Sequence, residues 1–209
     1  MRFVLFFLSC LSFFDCSGQT VQDYLQSGSE KYKQYQIKEA ISDYRQALVL
    51  DSNNIAAYYA LGEAESWRMS YDSAIYFYTK SIRMSDNSTY GLFNRGRTYY
   101  YKGDYEKALN DFNQLIGREE KFLPLNAEVR AIIRYRAHHF YGAIDDLTKV
   151  INDRAYVQDL FLRARCYQHT NQDSLAHEDF AALIREEQQN NHVLYSAYAF
   201  YYSGKKEKA

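Results

Sequence analysis

The chain has 209 residues, 47% hydrophobic and 24% charged, with a formal net charge of -1 and a single proline. That composition excludes intrinsic disorder, and the near-zero charge leaves no basic field to hold nucleic-acid phosphates or an anionic membrane surface. Nine glycines and the lack of a proline-rich or serine-rich run leave no linker, so one structural unit is expected behind the N-terminal segment.

Residues 1–18 read as a cleaved export signal. Arg2 supplies the positive charge, Phe3 to Phe14 form the apolar stretch, and Cys16, Ser17 and Gly18 end it, with cleavage expected after Gly18. The stretch is far shorter than the ~20 residues that span a bilayer, and Asp15 follows it directly, so no membrane span is expected in the mature chain. Lipidation is the less favoured reading, because Cys16 follows Asp15 and Cys10 comes early behind a very short apolar run. The terse ending before Gln19 and Thr20 resembles that of bacterial envelope proteins, which implies a periplasmic or cell-envelope destination, with secretion as the alternative. Cleavage leaves Cys166 as the remaining cysteine, so no disulfide framework is expected, and Cys166 reads as a small buried side chain.

From residue 21 onward one pattern recurs. Alanines at 40, 74, 108, 143 and 176 are 34, 34, 35 and 33 residues apart. Four positions after each stands a large residue, Tyr44, Tyr78, Phe112, Leu147 or Phe180, and three further on comes Ala47, Ser81, Leu115, Val150 or Leu183. That spacing gathers them on one face of an amphipathic helix, with a small residue where a neighbour approaches. Upstream of each lies a second helical stretch with Gly28, Gly62, Gly96, Ala131 or Ala164 in register. A glycine inside a helix costs about 1 kcal/mol relative to alanine, so three in register imply a partner helix that passes too close for a side chain. Tight turns join the two helices: Gly103 is suited to a positive φ and Asp104 to the start of the next helix. The array therefore reads as repeats over 21–54, 55–88, 89–123, 124–156 and 157–189, followed by a partial sixth over 190–209 that ends at Ala209, its own alanine position. Two readings of that last unit stand side by side: a capping helix, or an unfinished repeat whose Val193 and Phe200 serve self-association or a partner.

This pattern resembles the tetratricopeptide repeat family, whose 34-residue unit carries a large residue, Leu-Gly, Tyr, Ala, an aromatic and Ala in that order. Residues 21 to 54 match best, with Tyr24, Gly28, Ala40, Tyr44 and Ala47; Ser52, Asp86 and Glu120 replace the proline that usually closes a repeat. The resemblance implies an all-α superhelix of five repeats plus a terminal helix, whose concave wall is made by the first helix of each pair. It further implies a protein or peptide partner, and adaptor or scaffold work in place of catalysis. Carried onto this chain, the wall includes Tyr59, Glu63 and Trp67, then Tyr90, Phe93, Asn94, Arg97, Tyr100 and Tyr101. Later repeats add Glu128, Tyr135, Arg136, Phe161, Arg165 and His169, and the sixth helix Tyr195, Tyr198, Tyr201 and Tyr202. Such rings suit peptide contacts, although aromatics at helical spacing also serve packing between helices. Some relatives clamp a terminal carboxylate with lysines and asparagines; here those positions hold Leu25, Ser29, Ala60 and Tyr90, with Asn94 alone in agreement, so no clamp is expected.

No nucleophile motif, phosphate loop or CxxC pair occurs, and neither a catalytic site nor a cofactor is expected. His138, His139 and His169 fall short of a four-ligand zinc set. The acidic pairs Asp145 with Asp146 and Glu186 with Glu187 are expected on solvated faces. Asn87, Ser88 and Thr89 form a sequon that matters in a eukaryotic host alone. Two alternatives to a groove-binding adaptor remain: a homo-oligomer formed through the sixth unit, and an accessory module of an enzyme or secretion machine.

Overall fold

The computed structural model describes residues 19–85, 89–115, 123–153 and 156–189, with positions 195, 198, 199 and 202 beyond them. Residues 1–18, Asn87 and Ser88 of the sequon, and Val193, Phe200 and Tyr201 lie outside the described residues. Among the described residues there are ten helices and no strand. They pair as α1 (Val21–Lys33) with α2 (Ile37–Leu50), α3 (Ile55–Trp67) with α4 (Tyr71–Met84), and α5 (Thr89–Lys102) with α6 (Tyr105–Leu115). Two further pairs follow, α7 (Leu123–Arg136) with α8 (Phe140–Asp153) and α9 (Val157–His169) with α10 (Asp173–Gln189).

Local chemistry sets the ends of these helices. Thr20 opens α1 with a reciprocal cap: its hydroxyl accepts the Asp23 amide at 3.2 Å while the Asp23 carboxylate accepts the Thr20 amide at 2.8 Å. Asn54 opens α3 by accepting the Ala57 amide at 3.0 Å. Each first helix closes in the same manner, on a residue of positive φ: Tyr35, Met69, Gly103, His138 and Asn171. The amide of the following residue reaches back five positions, as from Ser70 to Glu65 and from His139 to Arg134, at 2.9 and 2.8 Å. Such a bond satisfies a carbonyl that the helix end leaves open. Only one of the five is glycine, so the other four hold a backbone conformation that costs an L-residue roughly 1–2 kcal/mol. Asp104 stands at the head of α6, where its carboxylate meets Lys107 at 3.2 Å.

The hairpins close on the residues that the periodicity selected. Ala40, Ala74, Ala108, Ala143 and Ala176 are fully or almost fully buried, as are Tyr44, Tyr78, Phe112, Leu147 and Phe180. Each of those five large residues lies 16 positions after the small residue of the first helix, which it faces across the hairpin. A Cβ built on Gly62 would lie 2.6 Å from the Tyr78 ring, and one on Gly28 2.5 Å from the Tyr44 ring. First helices also touch one another along the array, α1 with α3, α3 with α5 and α7 with α9. The first helices thus form one layer and the second helices the other. Beyond α10, Tyr195, Tyr198, Ala199 and Tyr202 are helical, and the fully buried Ala199 packs with Leu160, Phe180 and Leu183.

One position before each small residue, a second pairing ties the array together. Arg95, Arg130 and Arg163 each make a two-pronged ion pair with an aspartate 16 residues on: Asp111, Asp146 and Asp179. The remaining nitrogen of each guanidinium donates to the second helix of the preceding repeat, at Thr79 (3.0 Å), Asn113 (3.0 Å) and Thr148 (3.2 Å). Each arginine therefore joins three helices, a geometry suited to its planar fork of donors. The first repeat has Ser27 and Lys31 on Asp43, both at 2.6 Å, and the second has the apolar Leu61 and Phe77 at the matching positions.

These pairings correct one expectation. Neighbouring residues on a helix point about 100° apart, so an acidic pair cannot share one environment. Asp145 is exposed, but Asp146 is 1% exposed and holds both Arg130 and Arg134. Glu187 is likewise buried and accepts the Tyr195 amide at 2.8 Å, which fastens the terminal helical stretch to α10.

Candidate interaction groove

The first helices bring several of the expected groove residues into one place. Glu63, Trp67, Asn94, Arg97 and Tyr101 line a recess of about 140 Å³, closed on its other sides by Tyr32, Ser66 and Tyr78. Helical spacing explains the set: Glu63 and Trp67 are one turn apart on α3, and Asn94, Arg97 and Tyr101 follow one face of α5. Tyr59, one turn before Glu63, braces the floor. Its hydroxyl accepts the Asn94 amide nitrogen at 2.7 Å and so joins α3 to α5, and its ring meets Tyr78 edge-on at 5.8 Å.

The floor is electrostatically uneven. Burial raises the Glu63 carboxyl above the ordinary carboxylate range, and a polar contact with the Tyr59 hydroxyl offsets part of that rise. Burial, reinforced by the Glu63 charge, raises the phenols of Tyr32, Tyr59 and Tyr78, and pushes Tyr44 up to about 12. These tyrosines therefore stay protonated at neutral pH, and the Tyr59 hydroxyl is the one in polar contact with the carboxylate. At the rim, Trp67 is 57% exposed and meets Tyr35 edge-on at 5.5 Å, and Tyr101 is 55% exposed. The Arg97 guanidinium lies over the rings of Phe93 and Tyr101, at 5.7 and 5.9 Å.

A wider trough of about 620 Å³ continues along α1 and α3, bordered by Leu25, Ser29, Lys33, Ala60 and again Glu63. Glu63 thus stands where the trough and the recess meet.

Other expected groove residues lie elsewhere. Tyr90, at the head of α5, is 63% exposed and outside the recess. Phe93 is half-buried against Phe112, and Tyr100 is packed with Tyr105 against the core of the third repeat. Tyr135 belongs to a ring cluster with Phe140 and His169, whose imidazole stacks on Phe140 at 4.3 Å. Burial, then the charges of Arg165 and His138, hold His169 below its ordinary value. Phe161 packs among Tyr195, Tyr198 and Tyr202, and the Arg165 guanidinium lies 3.7 Å above the Tyr202 ring. In the later repeats the wall is therefore occupied by its own rings. Glu128 is half-buried and Arg136 exposed. His138 and His139 border a surface hollow of about 390 Å³ with His169; among the described residues no cluster of three or more His, Cys, Asp or Glu has the arrangement of a metal site. Nor is any described helix long and apolar enough to cross a membrane.

Sequence reasoning missed Tyr32 and Tyr35. Both sit at the end of α1, and a turn residue of positive φ gave no groove signal, although Tyr35 presents its ring to Trp67.

Residues 28–64 match the TPR repeat profile and residues 89–119 the tetratricopeptide repeat profile. The backbone superposes on a tetratricopeptide repeat protein from Parabacteroides merdae with a TM-score of 0.77 at 20% identity, over 91% of this chain and 76% of that one. The chain carries tetratricopeptide repeats. Its fold also matches YrrB, described as a TPR protein with an unusual peptide-binding site, with a TM-score of 0.70 at 16% identity over 78% of this chain and 84% of that one. In sequence it is 22% identical to human DnaJ homolog subfamily C member 7 over 170 residues, 74% of this chain and 34% of the relative. The curated relatives it matches are much longer, the chain spanning from 7% to 39% of their length.

Proposed function

We propose that this repeat protein is an exported adaptor or scaffold that holds a segment of a partner protein along the trough and recess of its first three repeats. One observation carries the reading: Trp67 and Tyr101 stand more than half exposed on either side of a recess whose floor is polar and braced. Exposed rings at a concave rim offer apolar area at small rotamer cost, the property that makes such residues anchors in protein interfaces. Two anchors at roughly 1.5–3 kcal/mol each total about 3–6 kcal/mol before the cost of association, so the two rings alone give binding no tighter than roughly tens of micromolar, and contacts along the trough must supply the rest. The peptide-binding description attached to YrrB supports the same reading by similarity of fold.

Export is part of the proposal and rests on the N-terminal pattern of residues 1–18; the capped onset of α1 at Thr20, two residues past the expected cleavage point, supports it. A mature N-terminus at Gln19, read by mass spectrometry of protein from its native host, is the expected result, and an intact N-terminus would sink the export reading.

The decisive experiment is affinity capture of the full chain with cross-linking in its native host, beside Trp67→Ala/Tyr101→Ala. Both residues are exposed, so the change leaves the core alone. Tyr100 is unsuitable, because its truncation would disturb packing against Tyr105. A protein held by the wild type and lost from the variant supports the groove; retention by both refutes it. Capture of the chain itself and nothing else moves the reading to self-assembly.

A further inference from the structure

We propose that the recess accepts a single lysine or arginine side chain of the partner segment, with the Glu63 carboxylate as its counter-ion. The inference rests on the groove reading above and specifies what that groove selects.

The charge pattern points to it. Five other carboxylates withdrawn from water have a cation partner: Asp43 with Lys31, Glu65 with Arg45 and Arg68, and Asp111, Asp146 and Asp179 with their arginines. Among the described residues, no lysine or arginine nitrogen lies within 4.0 Å of the half-buried Glu63 carboxylate. A withdrawn carboxylate without a cation is costly unless something outside the chain completes it. The walls are chemically suited to a cation as well. Trp67, Tyr101 and Tyr32 border the same recess, and the electron-rich face of an aromatic ring attracts an ammonium or guanidinium group. At about 140 Å³ the recess is well below the ~300 Å³ at which small-molecule and cofactor pockets begin, the scale of one inserted side chain. Arg97, which also lines the recess, adds positive charge, which disfavours a polybasic run and favours one isolated basic residue. The trough beside Glu63 gives the flanking residues of the segment a path along α1 and α3.

The test pans a library of displayed random twelve-residue peptides against the full chain, Glu63→Gln, and Trp67→Ala/Tyr101→Ala. Glutamine keeps the size of the side chain and removes its charge, and an unchanged thermal midpoint or a higher one establishes that the variant folds. Wild-type protein should enrich sequences with one lysine or arginine at a fixed position. The preferred peptide, titrated by the emission of Trp67, the one tryptophan in the sequence, should bind at least tenfold more weakly to Glu63→Gln. Replacing its basic residue by norleucine should give the same loss, and raised salt should weaken the wild-type complex. Enrichment of sequences with no fixed basic residue overturns the proposal, as does no enrichment at all, or equal affinity for wild type and Glu63→Gln. Binding to Trp67→Ala/Tyr101→Ala, which has no tryptophan, is read by titration calorimetry; if binding survives Glu63→Gln but is lost in this double variant, the groove stands and the counter-ion falls. If it survives both, the groove itself is refuted.

Discussion

Replacement of Gly62 by alanine sets two known effects against each other. A methyl group in mid-helix improves helix propensity by about 1 kcal/mol. Here it would be built 2.6 Å from Cδ1 and Cε1 of Tyr78, and 3.0 Å from Cγ, in a ring that is 2% exposed. Overpacking a filled core costs typically 1–3 kcal/mol, and the short distance places this site at the upper end. The fifth repeat limits the estimate from the other side: Ala164 shares a core cluster with Phe180, so a hairpin shaped around the methyl can hold it. The net expectation for Gly62→Ala is a loss of about 1–2 kcal/mol, a fall of roughly 2–8 °C in thermal midpoint for a chain of this size. Tyr78→Leu restores room in the manner of Ala131 with Leu147, so the double variant should be more stable than the sum of the single effects by about 1 kcal/mol. Thermal and urea unfolding of the four proteins give the cycle. A Gly62→Ala midpoint at or above wild type, with no coupling to Tyr78, would refute the claim that close helix approach selects the glycine.

Asp111→Ala strands the Arg95 guanidinium and should cost about 3 kcal/mol, whereas Arg95→Leu/Asp111→Phe, which copies Leu61 and Phe77 of the second repeat, should recover most of that loss in urea unfolding. Met69→Gly relieves a positive φ at an exposed turn; relief of about 1–2 kcal/mol against a glycine entropy cost of roughly 0.5–1 kcal/mol leaves an unchanged or slightly raised midpoint, and a clear fall would contradict it. Because burial holds the Glu63 carboxyl above its ordinary 4.5, its contribution is complete below that value and is lost as pH rises through the raised folded value. Wild type and Glu63→Gln should accordingly match near pH 4 and diverge upward, with the glutamine variant the more stable at pH 7; a difference constant with pH would be inconsistent. Burial pushes the Cys166 thiol up to about 12, with the Arg165 charge pulling it partly back. Alkylation of Cys166 at pH 8, followed by peptide mass spectrometry, should be slower in the folded protein by on the order of 100-fold or more than in urea.

The fold was legible because its signals repeat at one spacing and each has a local meaning. A small residue in mid-helix and a large one 16 positions later mark where two helices press together, and five copies leave one register. The arginine tie has the same spacing and escaped notice, because a charge 16 residues from another has no meaning until the hairpin sets their separation. The acidic pairs misled for a related reason, adjacency in sequence standing in for a shared face. In the groove, a count of aromatic residues could not separate rings that fill gaps, such as Tyr100 and Phe161, from rings left at the rim, such as Trp67 and Tyr101. That distinction depends on which neighbours reach them, and the neighbours come from other repeats.

The arginine ties begin at the joint between the second and third repeats and continue to the fifth. The first joint lacks one: its cross-joint ion pair, Arg45 with Glu65, leaves Arg45 largely in water, where such a pair adds little. The recess straddles that weaker seam, taking Tyr32 from the first hairpin and the rest of its lining from the next two. Opening of the first hairpin therefore dismantles one wall of the recess, and an occupant of the proposed site that bridges the seam would draw the hairpin back. In the proposed site, occupancy and the amide hydrogen-exchange protection of α1 and α2 are thereby linked, so that the first hairpin doubles as a clasp.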